Sequence, residues 1–453
     1  MQARQFVRVC VVVSAAIGSL EIARQVAAGN GPNLFAFANP TGIARTYNVN
    51  GTIDFDNPFF QSLGTNGRSC GSCHDAADGW TIVPSHVQAR FDATAGEDPI
   101  FRTNDGSNSP IADVSTLEAR RSAYSMLLTK GLIRVGIGAP SNAEFDLIAV
   151  DDPYGYASDT ELSLFRRPLP ATNLRFLATV MWDGRETFPG KSVHFDLSDQ
   201  ANGATLGHAA AINPLTQVQR EQIVGFETGL FTAQSTDSAA SVLNAQRASG
   251  GPIPLSRQPF YIGINDVLSP GFDPRAFTLF DPWKDLSISG SSPYTGAREA
   301  VARGQELFNT RTFTIANVRG VNDVLGVPAL PGTCTTCHHT PNVGNHSTSL
   351  PLDLGLTTAA LRSRDMPLYT FRNKTTGEIM QTTDPGRALI TGKWKDMSLF
   401  KGPILRGLAA RAPYFHNGFA ATLADVVEFY DGRFSIGLSA QEKADLAAFL
   451  KAL

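Results

Sequence analysis

The sequence of 453 residues has few charged residues and no excess of positive charge. Only 17% of its residues are charged, and its 38 lysines and arginines are balanced by 41 aspartates and glutamates. Proteins that bind nucleic acids concentrate lysine and arginine in patches. Because this sequence has no such patch, we predict no nucleic-acid partner.

Cysteine is also scarce, with five in the chain. Four of them lie in two copies of Cys-x-x-Cys-His, and this spacing is typical of covalent haem attachment. Zinc binding would require the two pairs to meet in space, and a dithiol enzyme would need one pair rather than two. We therefore predict two haem c groups, held by Cys70, Cys73, His74, Cys334, Cys337 and His338.

The apolar stretch at residues 9–20 is too short to span a bilayer comfortably. It follows Arg4 and Arg8 and precedes small residues at 26–28, which is the pattern of a secretory signal peptide. We expect residues 1–28, with Cys10, to be cleaved from a periplasmic protein without stable membrane insertion. An uncleaved membrane anchor is the alternative.

The 41 glycines and 27 prolines predict a loop-rich protein. We expect a mainly α fold with two cytochrome c-like haem domains: residues 29–290, with an insertion at about residues 80–160, and residues 291–453. A few extended pairs are expected within residues 91–150. Capping boxes at residues 422–425 and 439–442 predict two helices near the end of the sequence, the first ending at Asp431-Gly432.

Further motifs occur in a characteristic order. Trp-Asp-Gly-Arg at 182–185 lies between the haem motifs. After the second haem motif come Lys-Gly-Pro-Ile-Leu-Arg-Gly at 401–407, Pro-Tyr-Phe-His-Asn-Gly at 413–418 and Val-Val-Glu-Phe-Tyr at 426–430. In this order the sequence resembles the bacterial di-haem cytochrome c peroxidase family, which includes the MauG-type enzymes. The resemblance covers most of the chain after residue 28, except about residues 80–159.

The resemblance implies different roles for the two haems. His74 would be the proximal ligand of a haem that reacts with peroxide. His338 would be the proximal ligand of a second haem that relays or stores oxidising equivalents, and Trp182 would carry electrons between them. From the residues alone, Trp182 could equally be an ordinary buried aromatic side chain.

Two residues compete as sixth ligand of the second haem. In electron-fed members of the family a methionine occupies the position of Tyr430, whereas MauG-like members have a tyrosine there. A phenolate would stabilise ferric and higher oxidation states, and a thioether would favour the ferrous state. Met397 is the rival ligand. Without the resemblance, both side chains could serve packing alone.

The family's distal glutamate has no counterpart in the matching residues 200–211. Heterolytic cleavage of the O–O bond needs a group that moves a proton from the near to the far oxygen. We predict His208 for this catalytic role, because imidazole titrates near neutral pH. It could also ligate the first haem or be structural. Glu221 and Glu227 are weaker candidates, and His86 is a rival sixth ligand.

Whether the chain binds the family's interdomain calcium ion is left open. It uses an asparagine ahead of the Trp-Asp-Gly-Arg motif, whereas Arg-Arg-Pro occupies residues 166–168 here. Asn173 could replace it only with a register shift, and calcium needs several oxygen ligands. Of the other histidines, His416 should lie near the second haem and His339 should be exposed. His346 should lie in a polar loop, and His194 has no clear partner.

Three functions follow from this pattern. The preferred one is an oxidoreductase that reduces hydrogen peroxide at the His74 haem, with a small electron-donor protein as partner. The second is a MauG-like enzyme that oxidises an organic or protein substrate, which Tyr430 and the missing glutamate favour. The third is a non-enzymatic electron carrier, which requires His208 or His86 to close the first haem.

Overall fold

A computed structural model of the chain describes residues 30–289 and 292–453. The predicted signal peptide, Cys10 and the predicted domain boundary at residue 290 lie outside these ranges. Within them, no helix is both long and apolar enough to cross a membrane.

The described residues form twelve α-helices, most of them short. In chain order they are α1 Pro84–Thr94, α2 Leu117–Ala123, α3 Ser125–Lys130, α4 Val193–Gly207, α5 Gln217–Gly229, α6 Pro252–Ser256, α7 Thr295–Thr310, α8 Asn322–Leu325, α9 Cys334–Cys337, α10 Ala388–Thr391, α11 Leu423–Phe434 and α12 Ala440–Lys451.

The same residues form thirteen strands in five antiparallel sheets. With 33% helix and 17% strand, the expectation of a mainly α fold is wrong. The strands are β1 Asn30–Gly31, β2 Leu34–Asn39, β3 Gly42–Asn48, β4 Ile53–Asp54, β5 Ile133–Ile137, β6 Phe145–Asp151, β7 Leu162–Arg166, β8 Leu230–Asp237, β9 Ser241–Val242, β10 Phe313–Ala316, β11 Ala329–Gly332, β12 Leu368–Asn373 and β13 Ile379–Thr382.

Long-range pairing explains why the strands escaped sequence analysis. In the largest sheet, with the order β2-β3-β8-β9, β3 pairs with a strand far along the chain, so that Thr46 lies opposite Thr232. Their hydroxyl groups are 2.8 Å apart and buried. At the start of β3, Gly42 has φ +147°, and a Cβ atom there would lie 2.0 Å from the Thr236 carbonyl oxygen. Such partners lie beyond any local pattern.

The inserted segment is ordered and contacts the C-terminal half. It contains α1 to α3, and the extended pairs expected within residues 91–150 involve β5 and β6. Strand β6 pairs with β12, which belongs to the C-terminal half. Lys130 also forms an ion pair with Asp365 at 2.7 Å. The segment therefore joins the two halves rather than protruding from one.

Helices α7 and α12 form the core of the C-terminal half, where Phe308 lies 5.5 Å from Phe449 between ring centres. Both predicted capping boxes are present, at the starts of α11 and α12. Helix α11 runs past Asp431-Gly432 and ends at Phe434, because Ser435, with φ 49°, is the residue that leaves the helical conformation. The helix therefore ends two residues beyond the predicted Gly432.

Gly304 permits the close approach of α7 and α12. A Cβ atom at this position would lie 2.0 Å from the Asp445 carbonyl oxygen. We expect Gly304→Ala to lower the free energy of unfolding by about 1–3 kcal/mol through overpacking, as measured by denaturant titration. Gly432→Ala in α11 is the control, because its Cβ would meet open space and should stabilise the helix by about 0.5–1 kcal/mol. Equal effects of the two substitutions would contradict this account.

Candidate functional site

Each Cys-x-x-Cys-His motif forms a short helical turn at the wall of a cavity. The amide of His74 donates to the carbonyl of Cys70 at 3.0 Å, and His338 donates to Cys334 at the same distance. This turn brings two thiols and one imidazole to the same wall. The first cavity is lined by Cys70, Cys73 and His74 and the second by Cys334, Cys337 and His338.

The two motif histidines have the same hydrogen-bonding arrangement. Nδ1 of His74 lies 3.1 Å from the Trp80 carbonyl oxygen, and Nδ1 of His338 lies 2.7 Å from that of Gly344. Because a carbonyl can only accept, Nδ1 carries the proton in each ring and Nε2 keeps a free lone pair. Burial lowers the pKa of both imidazoles to about 4. Both rings are therefore neutral and able to ligate a metal through Nε2.

The four motif thiols are free. They are partly exposed to the cavities but enclosed by protein, and this burial raises the pKa of Cys70, Cys334 and Cys337 to about 12. The described residues contain no group of three or more His, Cys, Asp or Glu side chains that could hold a metal ion. Two free thiols beside a neutral imidazole could instead hold a covalently attached haem in each cavity.

Four of the cations that line the first cavity form, within the described residues, no ion pair with an aspartate or glutamate side chain. Their side chains donate to backbone carbonyls, as when Nζ of Lys401 donates to Thr179 at 2.9 Å. Burial lowers the pKa of Lys401 to about 7 and of Arg406 to about 9. Buried cations need anionic partners, and the propionates of a haem would supply them. These cations are Arg167, Lys401, Arg406 and Arg411.

Trp182 lies between the two cavities and lines both of them. Its Nε1 donates to the Arg167 carbonyl oxygen at 2.8 Å, and its ring centre lies 6.1 Å from that of His416. The Trp182 carbonyl accepts from the Lys401 amide at 2.9 Å. An electron bridge between two cofactors would require this position.

The neighbouring Asp183 is the centre of a buried ion network. It accepts hydrogen bonds from Arg166 and Arg185, and Arg166 also donates to both oxygens of Asp384 at 2.7 and 2.8 Å. The arginines lower the pKa of Asp183 to about 2 against the opposing effect of its burial. Gly184 follows with φ +73°, which turns the chain sharply after Trp182. The ion pairs of Asp183 thus help to hold the neighbouring indole of Trp182 in place.

His208 lines the first cavity at the C-terminal end of α4. Its Nδ1 forms a very short contact with Asp105, which also binds Arg68. Sequence analysis missed Asp105 and Arg68, because Asp105 belongs to the inserted segment and lies 103 residues from its histidine. No local spacing could have identified either residue.

The rival ligand His86 and the weaker candidate Glu221 lie elsewhere. Within the described residues, neither His86 nor Glu221 lines the first cavity. His86 pairs with Asp78, and Glu221 pairs with His194 at 2.8 Å. Glu227 does line the cavity, and its Oε2 is buried without a hydrogen-bond partner among the described residues. Burial raises its pKa to about 8, so this carboxyl group is protonated at neutral pH.

The structure separates the two proposed ligands of the second haem. Tyr430 lines the second cavity, where burial and the nearby Cys337 raise the pKa of its phenol. Met397 is fully buried in a different core cluster with Phe145 and Trp394. It is absent from the described residues that line the second cavity. Tyr430 is therefore the one of the two that the fold brings to the site.

Other histidines are more buried than predicted. The expectation of an exposed His339 is wrong: its Nε2 accepts from the Ser347 amide at 2.8 Å, and its ring stacks on that of His346 at 5.7 Å. His346 and His416 both line the second cavity. His416 stacks on Phe400 at 4.1 Å, and its buried Nε2 has no partner among the described residues.

Asn173, the alternative ligand for calcium, is hydrogen-bonded to strand β8 through its side chain. The side-chain oxygen of Asn173 accepts from the Thr232 amide at 3.0 Å, and its nitrogen donates to the Thr232 carbonyl at 2.9 Å. Both the oxygen and the nitrogen of this side-chain amide are therefore hydrogen-bonded to strand β8. We assign no role to calcium.

Parts of the chain are similar to bacterial cytochrome c peroxidases. Cytochrome-c peroxidase IdrP2 of Denitromonas iodatirespirans is 35% identical over 136 residues, which cover 27% of this chain and 36% of that protein. Cytochrome-c peroxidase IdrP1 of Pseudomonas sp. (strain SCT) is 33% identical over 140 residues, covering 26% and 36%. Cytochrome c551 peroxidase of Nitrosomonas europaea is 40% identical over 77 residues, covering 16% and 23%. The resemblance predicted from the motifs is confirmed, although the match spans only 36% of the first two relatives.

A crystal structure of a MauG-like protein associated with microbial copper homeostasis aligns with 88% of this chain and 87% of its own. Its sequence identity is 16% and the TM-score is 0.38, which is too low to support an argument about function. No protein-family model matches the chain.

Covalent attachment can be tested at each cavity separately. We expect Cys73→Ala and Cys337→Ala each to lower the covalently bound haem in denatured protein by up to one group per chain, because one of the two thioethers at that site is lost and attachment is weakened. Intact-mass spectrometry and haem absorbance measure this change. Ser72→Ala removes the hydroxyl that accepts from the Ser69 amide at 3.0 Å, and it should keep both haems. Unchanged attachment in both cysteine variants would contradict the assignment.

Proposed function

We propose that this chain is a periplasmic di-haem c-type oxidoreductase that reduces hydrogen peroxide. The observation that carries the proposal is the indole of Trp182, which lines two cavities that each contain a Cys-x-x-Cys-His motif. The proposed N-terminal domain, residues 29–290, would hold the reactive haem and residues 291–453 the relay haem. The proposed localisation depends on residues 1–28 acting as a cleaved signal peptide.

The proposed reaction consumes two protons and two electrons from a small electron-donor protein and converts one hydrogen peroxide into two waters. The haem in the first cavity would supply the electrons that cleave the O–O bond. His208 would accept a proton at Nε2 from the near peroxide oxygen and return it to the far oxygen. Trp182 would shorten the electron path between the cavities, while His74 and His338 would hold the irons.

A second function is favoured by a specific observation in the second cavity. Tyr430 lies there, where a phenolate ligand would favour strongly oxidising states of the iron. This would suit a MauG-like enzyme that directs its oxidising power to an organic or protein substrate. The peroxide step is common to both functions, and they differ in the electron source.

The peroxide step can be tested on the purified holoprotein. We expect the ferric protein to show one high-spin and one low-spin electron paramagnetic resonance signal, and the high-spin signal to change when hydrogen peroxide is added. His208→Gln should slow the reaction with peroxide about 10²–10⁴-fold, because the proton carrier is lost. Stopped-flow absorbance measures this rate. His194→Gln is the control, because that imidazole is 53% exposed and pairs with Glu221.

Two low-spin signals that ignore peroxide, in both the oxidised and the half-reduced protein, would support the electron-carrier function and refute both enzyme functions. A His208→Gln variant as fast as the wild type would remove His208 from the mechanism.

The role of Tyr430 has its own test. If the phenolate ligates the second iron, Tyr430→Phe should change the low-spin signal and raise the reduction potential of that haem, because an anionic ligand that stabilises the ferric state is lost. Redox titration measures the potential. Tyr414→Phe is the control, since the Tyr414 hydroxyl in the same cavity donates to the Leu408 carbonyl at 3.0 Å. An unchanged signal in Tyr430→Phe would exclude ligation.

A further inference from the structure

We propose that Asp105 and Arg68 hold His208 in the tautomer that can accept a proton from peroxide, so that the inserted segment completes the reactive site. This proposal rests on the proposed peroxide reduction. It assigns a function to the segment at about residues 80–160, which the resemblance to the peroxidases does not cover. Asp105 and Arg68 would be positioning residues, because both act through His208.

The contacts of the Asp105 carboxylate fix the proton on the imidazole. One carboxylate oxygen contacts Nδ1 of His208 and the other binds the Arg68 guanidinium. The Asp105 side chain is 9% exposed and that of Arg68 is 2% exposed. Because a carboxylate accepts hydrogen bonds, Nδ1 carries the proton and Nε2 is the nitrogen left as a base for the cavity.

The backbone of His208 is fixed as well as its ring. The His208 carbonyl accepts from the side-chain amides of Asn66 at 2.8 Å and Asn104 at 3.3 Å. Asn66 lies just ahead of the first haem motif, and Asn104 belongs to the inserted segment. The chain also passes so close here that a Cβ atom on Gly64 would lie 1.8 Å from the Ala209 carbonyl oxygen. The base is thus held at a set position relative to the thiols.

Arg68 ties the same unit to the inserted segment. Its guanidinium donates to the carbonyls of Pro99 at 2.8 Å and Ile100 at 2.5 Å, in addition to Asp105. The cation keeps Asp105 ionised in a buried position, where an isolated carboxylate would be costly. Among the described residues, other titratable groups that interact electrostatically with Arg68, Asp105 or His208 are Cys73, His74 and Tyr124.

A second Asp–His pair shows that this chemistry alone does not make a site. His86 makes the same kind of short contact with Asp78, also through Nδ1. However, the His86 side chain is 53% exposed, and within the described residues it does not line either cavity. The two pairs therefore share their hydrogen bond and differ in access to the first cavity, which makes Asp78 the matched control for Asp105.

In the proposed proton transfer, His208 takes up one proton and returns it. The near oxygen of hydrogen peroxide gives its proton to Nε2 of His208, and Asp105 stabilises the resulting imidazolium. A haem bound in the first cavity would supply the electron pair that breaks the O–O bond. The far oxygen takes the proton from Nε2 and leaves as water, so that His208 returns to its neutral form. Two protons would then convert the near oxygen into the second water, and two electrons from the donor would restore the haem.

The test is a double-mutant cycle on the haem-loaded protein. In Asp105→Asn, an amide N–H facing Nδ1 favours the tautomer with its proton on Nε2, as in a catalytic triad whose aspartate is replaced by asparagine. We expect the second-order rate with hydrogen peroxide to fall about 10²-fold or more and its acid limb to move to lower pH. Asp78→Asn should keep the wild-type rate. In a His208→Gln background, Asp105→Asn should have no further effect.

Haem content, melting temperature and the ferric spectrum of each variant show whether the site is intact. If Asp105→Asn loads less haem, the same cycle is run with Asp105→Glu, which keeps the charge that Arg68 needs but displaces the carboxylate. An effect that is equal with and without His208, or no effect, overturns the proposal. Failure of the wild-type protein to react with peroxide would instead refute the proposed function.

Discussion

The buried ion pair of Arg166 and Asp183 fixes the part of the chain that lines both cavities. Arg166 ends strand β7, Asp183 follows the indole that lines both cavities, and Asp384 joins them from the C-terminal half. Removing one partner of such a pair leaves an uncompensated buried charge, which costs about 3–5 kcal/mol. The position of Trp182 is therefore set by electrostatics as well as by packing. An indole fixed in this way keeps a constant position relative to both cavity walls.

Features that are encoded within one helical turn could be predicted from the sequence. The two haem motifs and both capping boxes are of this kind, since their partners lie three or four residues apart. The strands could not be predicted in the same way, because β3 pairs with β8, a strand that lies far along the chain. Likewise, the sequence offered His208 as a candidate but not Asp105, whose contact with it depends on the path of the inserted segment. The sequence also indicated Met397 as a ligand, whereas this side chain packs in another core cluster.

The cations of the first cavity indicate that folding and cofactor binding are coupled. Lys401 is buried, and its Nζ donates to the Thr179 carbonyl at 2.9 Å. Carbonyl dipoles compensate a buried cation less completely than an anion does. A ligand that brings negative charge into the cavity would stabilise the folded state in proportion to its occupancy. The same residues that weaken the protein without its cofactor would then select an anionic porphyrin.

The proximal arrangements of the two cavities are alike, so their difference must come from the other walls. In the first cavity, a carboxylate holds the imidazole of His208, and this arrangement suits the proposed proton transfer. In the second cavity, His346 and His416 form no hydrogen bond to a carboxylate among the described residues, and burial lowers their pKa to about 3 and 4. These rings stay neutral, and the phenol of Tyr430 lies beside them. Breaking an O–O bond requires proton movement, whereas holding an oxidising equivalent does not. The chemistry of the walls therefore suits the proposed division, with bond cleavage in the first cavity and electron storage in the second.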